Sequence, residues 1–332
     1  MRKIIYEMIG VGLLALIVVL LFAFPFFKQG QLLTTIPESI LSLLTVFFSI
    51  LLEALPFLLI GAFFSALIGI WVKPEFITKW LPRHPILSLL PALLFAFILP
   101  ICECAIVPVI RHFIRKGVPL HVAVTFMTAA PILNPVVAAS TYYAFNMNVS
   151  FVIWRMGLAM ICTFIISLIT YRAFKKQQES VLKNEVNMPV HSNHHHKGVL
   201  TILNHTADDF LFMSKFFIIG AFLASIFQTF IARDWLLAVN ESSALGILFM
   251  MILAYLLSLC SEADAFIAAS FGTSFSFPAT LAFLILGPML DLKNTLMMLS
   301  VFKFRFTVFF HVTVFTVVFV TLIICSLIGI GG

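Results

Sequence analysis

Leu89-Leu-Pro-Ala-Leu-Leu-Phe-Ala-Phe-Ile-Leu-Pro-Ile-Cys-Glu-Cys-Ala-Ile-Val-Pro-Val-Ile110 is an almost unbroken apolar run with a carboxylate inside it. Glu103 stands between Cys102 and Cys104, just after Pro100. The run is long enough to cross a hydrocarbon layer of about 30 Å, which takes roughly 20 residues of helix. Proline removes a backbone donor and breaks the helical ladder. A carboxylate at membrane depth is costly and normally lines a pathway or a proton relay. The stretch therefore reads as membrane-embedded and interrupted.

The rest of the chain extends that reading. Of 332 residues, 62% are hydrophobic and 10% charged, with 38 Phe and a mean hydropathy of +1.12. Soluble domains run about 45–50% apolar and about 25% charged. A soluble enzyme, a disordered chain and a secreted disulfide scaffold are excluded. Apolar stretches occupy 4–27, 38–72, 86–110, 118–145, 149–171, 208–232, 244–270, 277–299 and 306–330. The first, after Arg2-Lys3, lacks a small-x-small cleavage site and reads as a retained span.

The net charge of +6 sits mostly in short tracts, Lys73 to Arg83, Arg111 to Lys116 and Arg172 to Lys197. That pattern is the cytoplasmic bias of a helical membrane protein. No basic stripe interleaves with exposed aromatics, so no nucleic-acid partner is expected. The five cysteines, Cys102, Cys104, Cys162, Cys260 and Cys325, all lie in apolar stretches, which speaks against a disulfide framework.

The chain is duplicated. Gly61-Ala-Phe-Phe-Ser matches Gly220-Ala-Phe-Leu-Ala, Glu103 matches Glu262 and Pro119 matches Pro278, all 159 residues apart. Pro131-Ile-Leu-Asn134 matches Pro288-Met-Leu-Asp291, 157 apart. If every apolar stretch crosses once with the N-terminus inside, 8 Lys/Arg fall inside and 9 outside. If 86–110 and 244–270 dip in and return, the count becomes 15 inside and 2 outside. The bias of basic residues favours the second arrangement. Each repeat then crosses three times, so the second is inverted relative to the first, as in many secondary transporters.

The expected fold is an all-α polytopic membrane protein with two inverted repeats, broken or re-entrant helices at mid-membrane, and an extra N-terminal transmembrane helix. Its parts are that helix (1–37), a first permease repeat (38–172), a cytoplasmic His-rich linker (173–207) and a second permease repeat (208–332). The N-terminus is expected inside, in a multi-pass cytoplasmic membrane protein.

Four interruptions are expected to meet at mid-membrane: hairpin turns near Leu99 to Cys104 and near Leu259 to Asp264, a break at Pro131 with Pro135, and a break at Pro288, with Pro100, Pro131, Pro135 and Pro288 as the helix breakers. Irregular backbone there survives only when buried in protein or lining a polar cavity. Glu103, Glu262 and Asp264 are the leading functional candidates. Asn134 and Asp291 are placed to orient a substrate or to satisfy opened carbonyls. Cys102 and Cys104 can converge on one ligand only if the tip is unwound, because positions i and i+2 of a helix diverge. Thiolates prefer soft cations, and Cys260 could supply a third sulfur. Buried cysteine also serves as a small apolar residue, so ligand and packing roles both stand. Glu53 and Lys215 could pair across the repeat axis. Arg155, His121 and His311 are expected near the interfaces, snorkelling. Gly61-x3-Ser65-x3-Gly69 reads as a close-packing stripe. The His191 to His196 run reads as a solvated loop, with weak transition-metal capture as the functional alternative.

The tip Cys102-Glu103-Cys104-Ala105, Val107-Pro108 and Ala129-Ala130-Pro131-Ile132-Leu133-Asn134-Pro135 resemble the ArsP-type predicted permease family. Ser258 to Glu262 and Gly287-Pro288-Met289-Leu290-Asp291 resemble its second-half counterpart. The resemblance implies efflux across a bacterial-type cytoplasmic membrane. Similar members are described as organoarsenical exporters, and some relatives as copper or zinc efflux transporters. The expected function is a secondary permease exporting a soft, thiol-reactive solute, with Glu103 and Glu262 coupling proton entry to solute exit. The alternative is a non-catalytic membrane subunit of a multi-component permease. Neither Cys-x-x-Cys nor His-Glu-x-x-His occurs, and no P-loop, so neither an enzyme nor a bound cofactor is expected. The expected partners are the lipid bilayer, a small solute or metal ion, and a second copy or a second membrane subunit.

Overall fold

The computed structural model describes residues 37–71, 82, 84–98, 101–174, 181–182, 199–230, 243–271 and 275–329. The expected N-terminal span, Pro100 and the His191 to His196 run lie outside the described residues. The first repeat folds as α1 (Glu38–Trp71), α2 (Leu89–Ile98), α3 (Glu103–Arg115), α4 (Leu120–Ala129), α5 (Pro135–Ala144) and α6 (Val149–Phe174). The second repeats the order as α7 (Val199–Phe230), α8 (Ser243–Leu257), α9 (Ser261–Ser270), α10 (Phe277–Met289), α11 (Leu292–Val301) and α12 (Phe304–Leu327). Among the described residues, five helical segments are long and apolar enough to cross a membrane. The protein is all-α and polytopic.

Each of the four expected interruptions is a break between two short helices. The chain is extended at Cys102, before α3, and at Cys260, before α9. A turn at 130–134 separates α4 from α5, and Leu290 and Asp291 are extended between α10 and α11. Pro135 occupies the first turn of α5, where a missing N–H costs nothing. Pro288 lies inside the last turn of α10, so the break follows it by two residues. At the linker, helix starts at Val199, earlier than the hydrophilic composition implied. Leu182 forms an isolated antiparallel bridge with Phe302, and the Lys303 amide donates to Val181 O at 2.9 Å.

The packing repeats as the order does. α4 lies between α2 and α6, as α10 lies between α8 and α12, and α6 packs on α12 across the halves. The tip helices cross over, α3 onto α11 and α9 onto α5. α4 and α10 form the centre: every residue of Leu120–Ala129 and of Pro278–Met289 is buried. α1 is peripheral and mostly outward-facing.

α1 and α7 run antiparallel, with Phe47 against Phe222 near one end and Ser65 bonded to Asp209 near the other. The repeat-related glycines permit close approach. A Cβ on Gly61 would stand 2.3 Å from Ala105 Cβ, and one on Gly220 would stand 2.8 Å from Lys293 Cα. α1 and α7 therefore back directly onto α3 and α11. Here the duplication is imperfect, since α3 and α11 are not equivalent in the two halves.

Candidate functional site

Cys102, Asn134, Cys260 and Asp291 share one structural position: each is the N-cap of a half-helix. Asn134 Oδ1 accepts from the Val137 amide at 2.8 Å, and Asp291 Oδ1 accepts from the Asn294 amide at 2.5 Å. The two cysteines make no such side-chain cap. Helix N-termini carry partial positive charge and favour anions nearby. The acids accordingly fall in first turns, Glu103 in α3 and Glu262 with Asp264 in α9.

Glu103 is 1% exposed, and among the described residues neither carboxylate oxygen has a hydrogen-bond partner. The charges of Asp291, Lys293 and Asp264 act on it. Lys293 is buried and stands 3.8 Å from Asp291 Oδ2, with its ammonium 6.0 Å from the Phe217 ring centroid. Its backbone amide donates to Ser258 Oγ at 3.3 Å, which ties the second tip to α11. Ser258 itself has φ 52°, a left-handed bend. The second tip is further capped by Gln228, whose Nε2 donates to Leu257 O at 2.5 Å.

The second half departs from the register of the first. Glu262, the counterpart of Glu103, is only partly buried, whereas Asp264 is buried. Asp264 Oδ2 lies against the backbone of Gly287, where a Cβ would stand 2.7 Å from it. Each buried tip acid has a buried base of the opposite repeat within electrostatic reach, Lys293 for Glu103 and Arg155 for Asp264.

Arg155 corrects the expectation of a snorkelling side chain. It is fully buried, donating from Nη1 to Thr141 Oγ1 at 2.6 Å and from Nη2 to Ser261 O at 3.0 Å. It lies inside α6 on the side facing α5 and the second tip, so its head cannot reach an interface. His121 is also buried, with Nε2 3.1 Å from Ser88 Oγ. His311 Nε2 lies 2.7 Å from Thr295 Oγ1 and Nδ1 lies 2.7 Å from Thr307 O. Arg155 bonds Thr141 in the first half and His311 contacts Thr295 in the second, each joining the last long helix of its half to the short helix before it.

At the unwound tip Cys102 is extended, and Cys104 lies in the first turn of α3. Cys260 Sγ donates to Glu53 Oε1 at 2.6 Å. Among the described residues no ion pair joins Glu53 to Lys215, and no three His, Cys, Asp or Glu side chains form a group able to hold a metal ion.

A second polar group joins α1, α3 and α7. Asp209 Oδ2 accepts from Ser65 Oγ at 2.9 Å, Asp209 Oδ1 stands 3.4 Å from Arg111 Nη1, and Ser65 Oγ lies 2.8 Å from His112 Nδ1. The stripe reading of Ser65 missed this role, as the tract reading missed that of Arg111. A signal existed in Asp208-Asp209, acids close to a long apolar stretch.

A bundle of long spans enclosing half-helices, with acids and a lysine buried where those half-helices begin and an arginine buried against them, defines a multi-pass membrane protein of the permease type. The chain belongs to the ArsP-type family described as predicted permease, whose model matches residues 39–327. It is similar to the UPF0718 protein YcgR of Bacillus subtilis strain 168, 44% identical over 291 residues, covering 86% of this chain and 96% of the relative. It is also similar to a protein of Streptococcus mutans UA159 provisionally named a two-component membrane permease complex subunit. That match is 36% identical over 298 residues and covers 89% of this chain and 97% of the relative. No solved structure matches.

Proposed function

We propose that the protein is a secondary permease exporting a soft, thiol-reactive solute, with proton movement coupled through Glu103. The observation that carries this reading is the first tip, where two cysteines flank a buried carboxylate that has no hydrogen-bond partner among the described residues. A trivalent arsenical with one organic group has two replaceable positions, which a pair of thiols matches. Zinc commonly takes four protein ligands in a closed site, so the arsenical is the better fit to Cys102 and Cys104. Cys260, if the second tip released Glu53, would stand as an alternative thiol for exchange with one of the two positions rather than a third bond.

In this mechanism the solute binds between the tips, bridging repeats that rock against each other. Glu103 takes a proton when the site opens outward and releases it inward. Asp264 and Glu262 complete the acidic side of the site. Asn134 and Asp291 hold the starts of α5 and α11 and keep opened carbonyls from competing for the solute. Basic tracts on the inner face and an inside N-terminus complete the proposed topology in the cytoplasmic membrane.

Uptake into everted vesicles tests this directly, offering trivalent methylarsenical, zinc and copper separately, with and without a proton gradient. Accumulation of the arsenical that is lost in Glu103→Gln supports the proposal. Accumulation of none of the three removes soft-solute export.

A second reading rests on the Streptococcus relative, whose name makes it a subunit of a two-component complex. On that reading this chain is one component of a multi-component permease. Purified protein would then move nothing in liposomes until a second membrane component is added.

A further inference from the structure

α1 carries a carboxylate where a membrane span ordinarily carries none. Its apolar stretch Glu38–Leu67 exposes Leu52, Phe57, Leu59 and Ile60, as a lipid-facing helix does, yet Glu53 is exposed among them. Glu53 lies 15 residues after Glu38 and 14 before Leu67. At 1.5 Å per residue that is about 21–23 Å of helix from either end. Glu53 therefore sits near the centre of a hydrocarbon layer about 30 Å thick, and its short side chain reaches neither surface.

The same turn has two further polar features. Pro56 has no N–H, so the Leu52 carbonyl loses its helical donor. Cys260, the half-buried N-cap of α9, donates from Sγ to Glu53 Oε1 at 2.6 Å. α7, which packs along α1, repeats the anomaly with the opposite sign. Lys215 is exposed, 13 and 15 residues from the ends of the Ile202–Phe230 span. Lipid satisfies neither a charge nor an unpaired carbonyl, and such groups survive at this depth by lining water.

We propose that an aqueous path runs between α1 and the second tip as far as Cys260, with Glu53 on its wall passing cationic and neutral solutes and turning away anions. The path deepens the export reading by giving its solute a route and a charge preference, and it rests on that reading only for the identity of the cargo. Glu103 and Lys293 also act electrostatically on Cys260, but they are buried and opposite in sign. Glu53 is exposed and in direct contact with it.

The reactivity of Cys260 tests the path on the full chain in lipid nanodiscs, where both faces meet solvent. Two membrane-impermeant methanethiosulfonates are used separately, one bearing a trimethylammonium group and one a sulfonate. Labelling of the Cys260 peptide is followed by mass spectrometry, and each rate is divided by that of the same reagent with a small thiol in solution. The corrected rate for the cation should exceed that for the anion roughly tenfold, the effect in water of one carboxylate a few ångströms away. Glu53→Gln should bring the two rates to within about twofold of each other, and Glu53→Asp should keep most of the difference. Glu38→Gln, which removes an exposed acid at the start of α1, should leave the ratio unchanged. A ratio of rates cancels any change in the reactivity of the thiol itself. If Cys260 resists both reagents but reacts with N-ethylmaleimide dissolved in the bilayer, it faces lipid and the proposal is overturned. A ratio that Glu53→Gln leaves unaltered overturns it equally. A Glu53-dependent ratio in a protein that accumulates no arsenical retains the path and sinks the export reading instead.

Discussion

Glu103 and Asn134 give the sharpest expectations for single side chains. Glu103→Gln preserves shape at a buried position while removing a proton acceptor. The variant should keep its thermal midpoint in detergent and lose gradient-driven accumulation in everted vesicles. An equal loss of folding and transport would instead make Glu103 a structural acid. Asn134→Ala removes a side-chain cap from α5 and should cost about 1 kcal/mol of stability, seen as a lower thermal midpoint. Asn134→Asp should recover most of it, because Asp caps equally well and suits the positive end of the helix.

α3 is pinned at both ends, at Glu103 against α11 and at Arg111 and His112 against α7 and α1. Removing one member of a buried ion pair typically costs about 3–5 kcal/mol, whereas replacing both by apolar residues is often neutral. Asp209→Asn should therefore lower the thermal midpoint strongly, and the double change Arg111→Met with Asp209→Leu should recover much of it. The cost of the single change would vanish if Asp209 were solvated, but it is only 5% exposed. Close helix approach makes a second expectation. Gly61→Leu should abolish folded yield, because even a Cβ there clashes with Ala105, whereas Gly157→Leu should be tolerated, since nothing stands within 4 Å of its Cβ position. Monodisperse elution in detergent distinguishes them.

For the fold taken entire, the inverted arrangement predicts opposite sides for the ends of the two tip helices. Accessibility tags inserted after Gly117, an exposed turn with φ 88°, and at exposed Ser276 should report opposite faces in intact cells. Nine simple crossings would put both tags outside. Assembly belongs at this level too: two purified components reconstituted together, against this chain alone, separate a self-sufficient permease from a subunit.

Much of the architecture was legible before any coordinates. Apolar length marked the spans, because lipid demands internally bonded backbone. Proline and buried acid marked the breaks, and a nearly constant offset marked the repeat. Four of the residues proposed for the centre from sequence, Cys102, Asn134, Cys260 and Asp291, are N-caps of the helices that follow the four breaks, and Glu103, Glu262 and Asp264 fall in the first turns after them, since polar residues in an apolar stretch concentrate where a helix must begin. Burial of individual charges was not legible. Arg155 and Lys293 sit in apolar segments as snorkelling residues do, and only the helix face each occupies separates a buried pair from an interface anchor. The partners of Asp209 lie 98 and 144 residues away on other helices, a distance along the chain that no local pattern spans. Local composition dictates where a helix starts, stops and meets lipid. Which charge neutralises which is fixed by the way the two repeats close on each other.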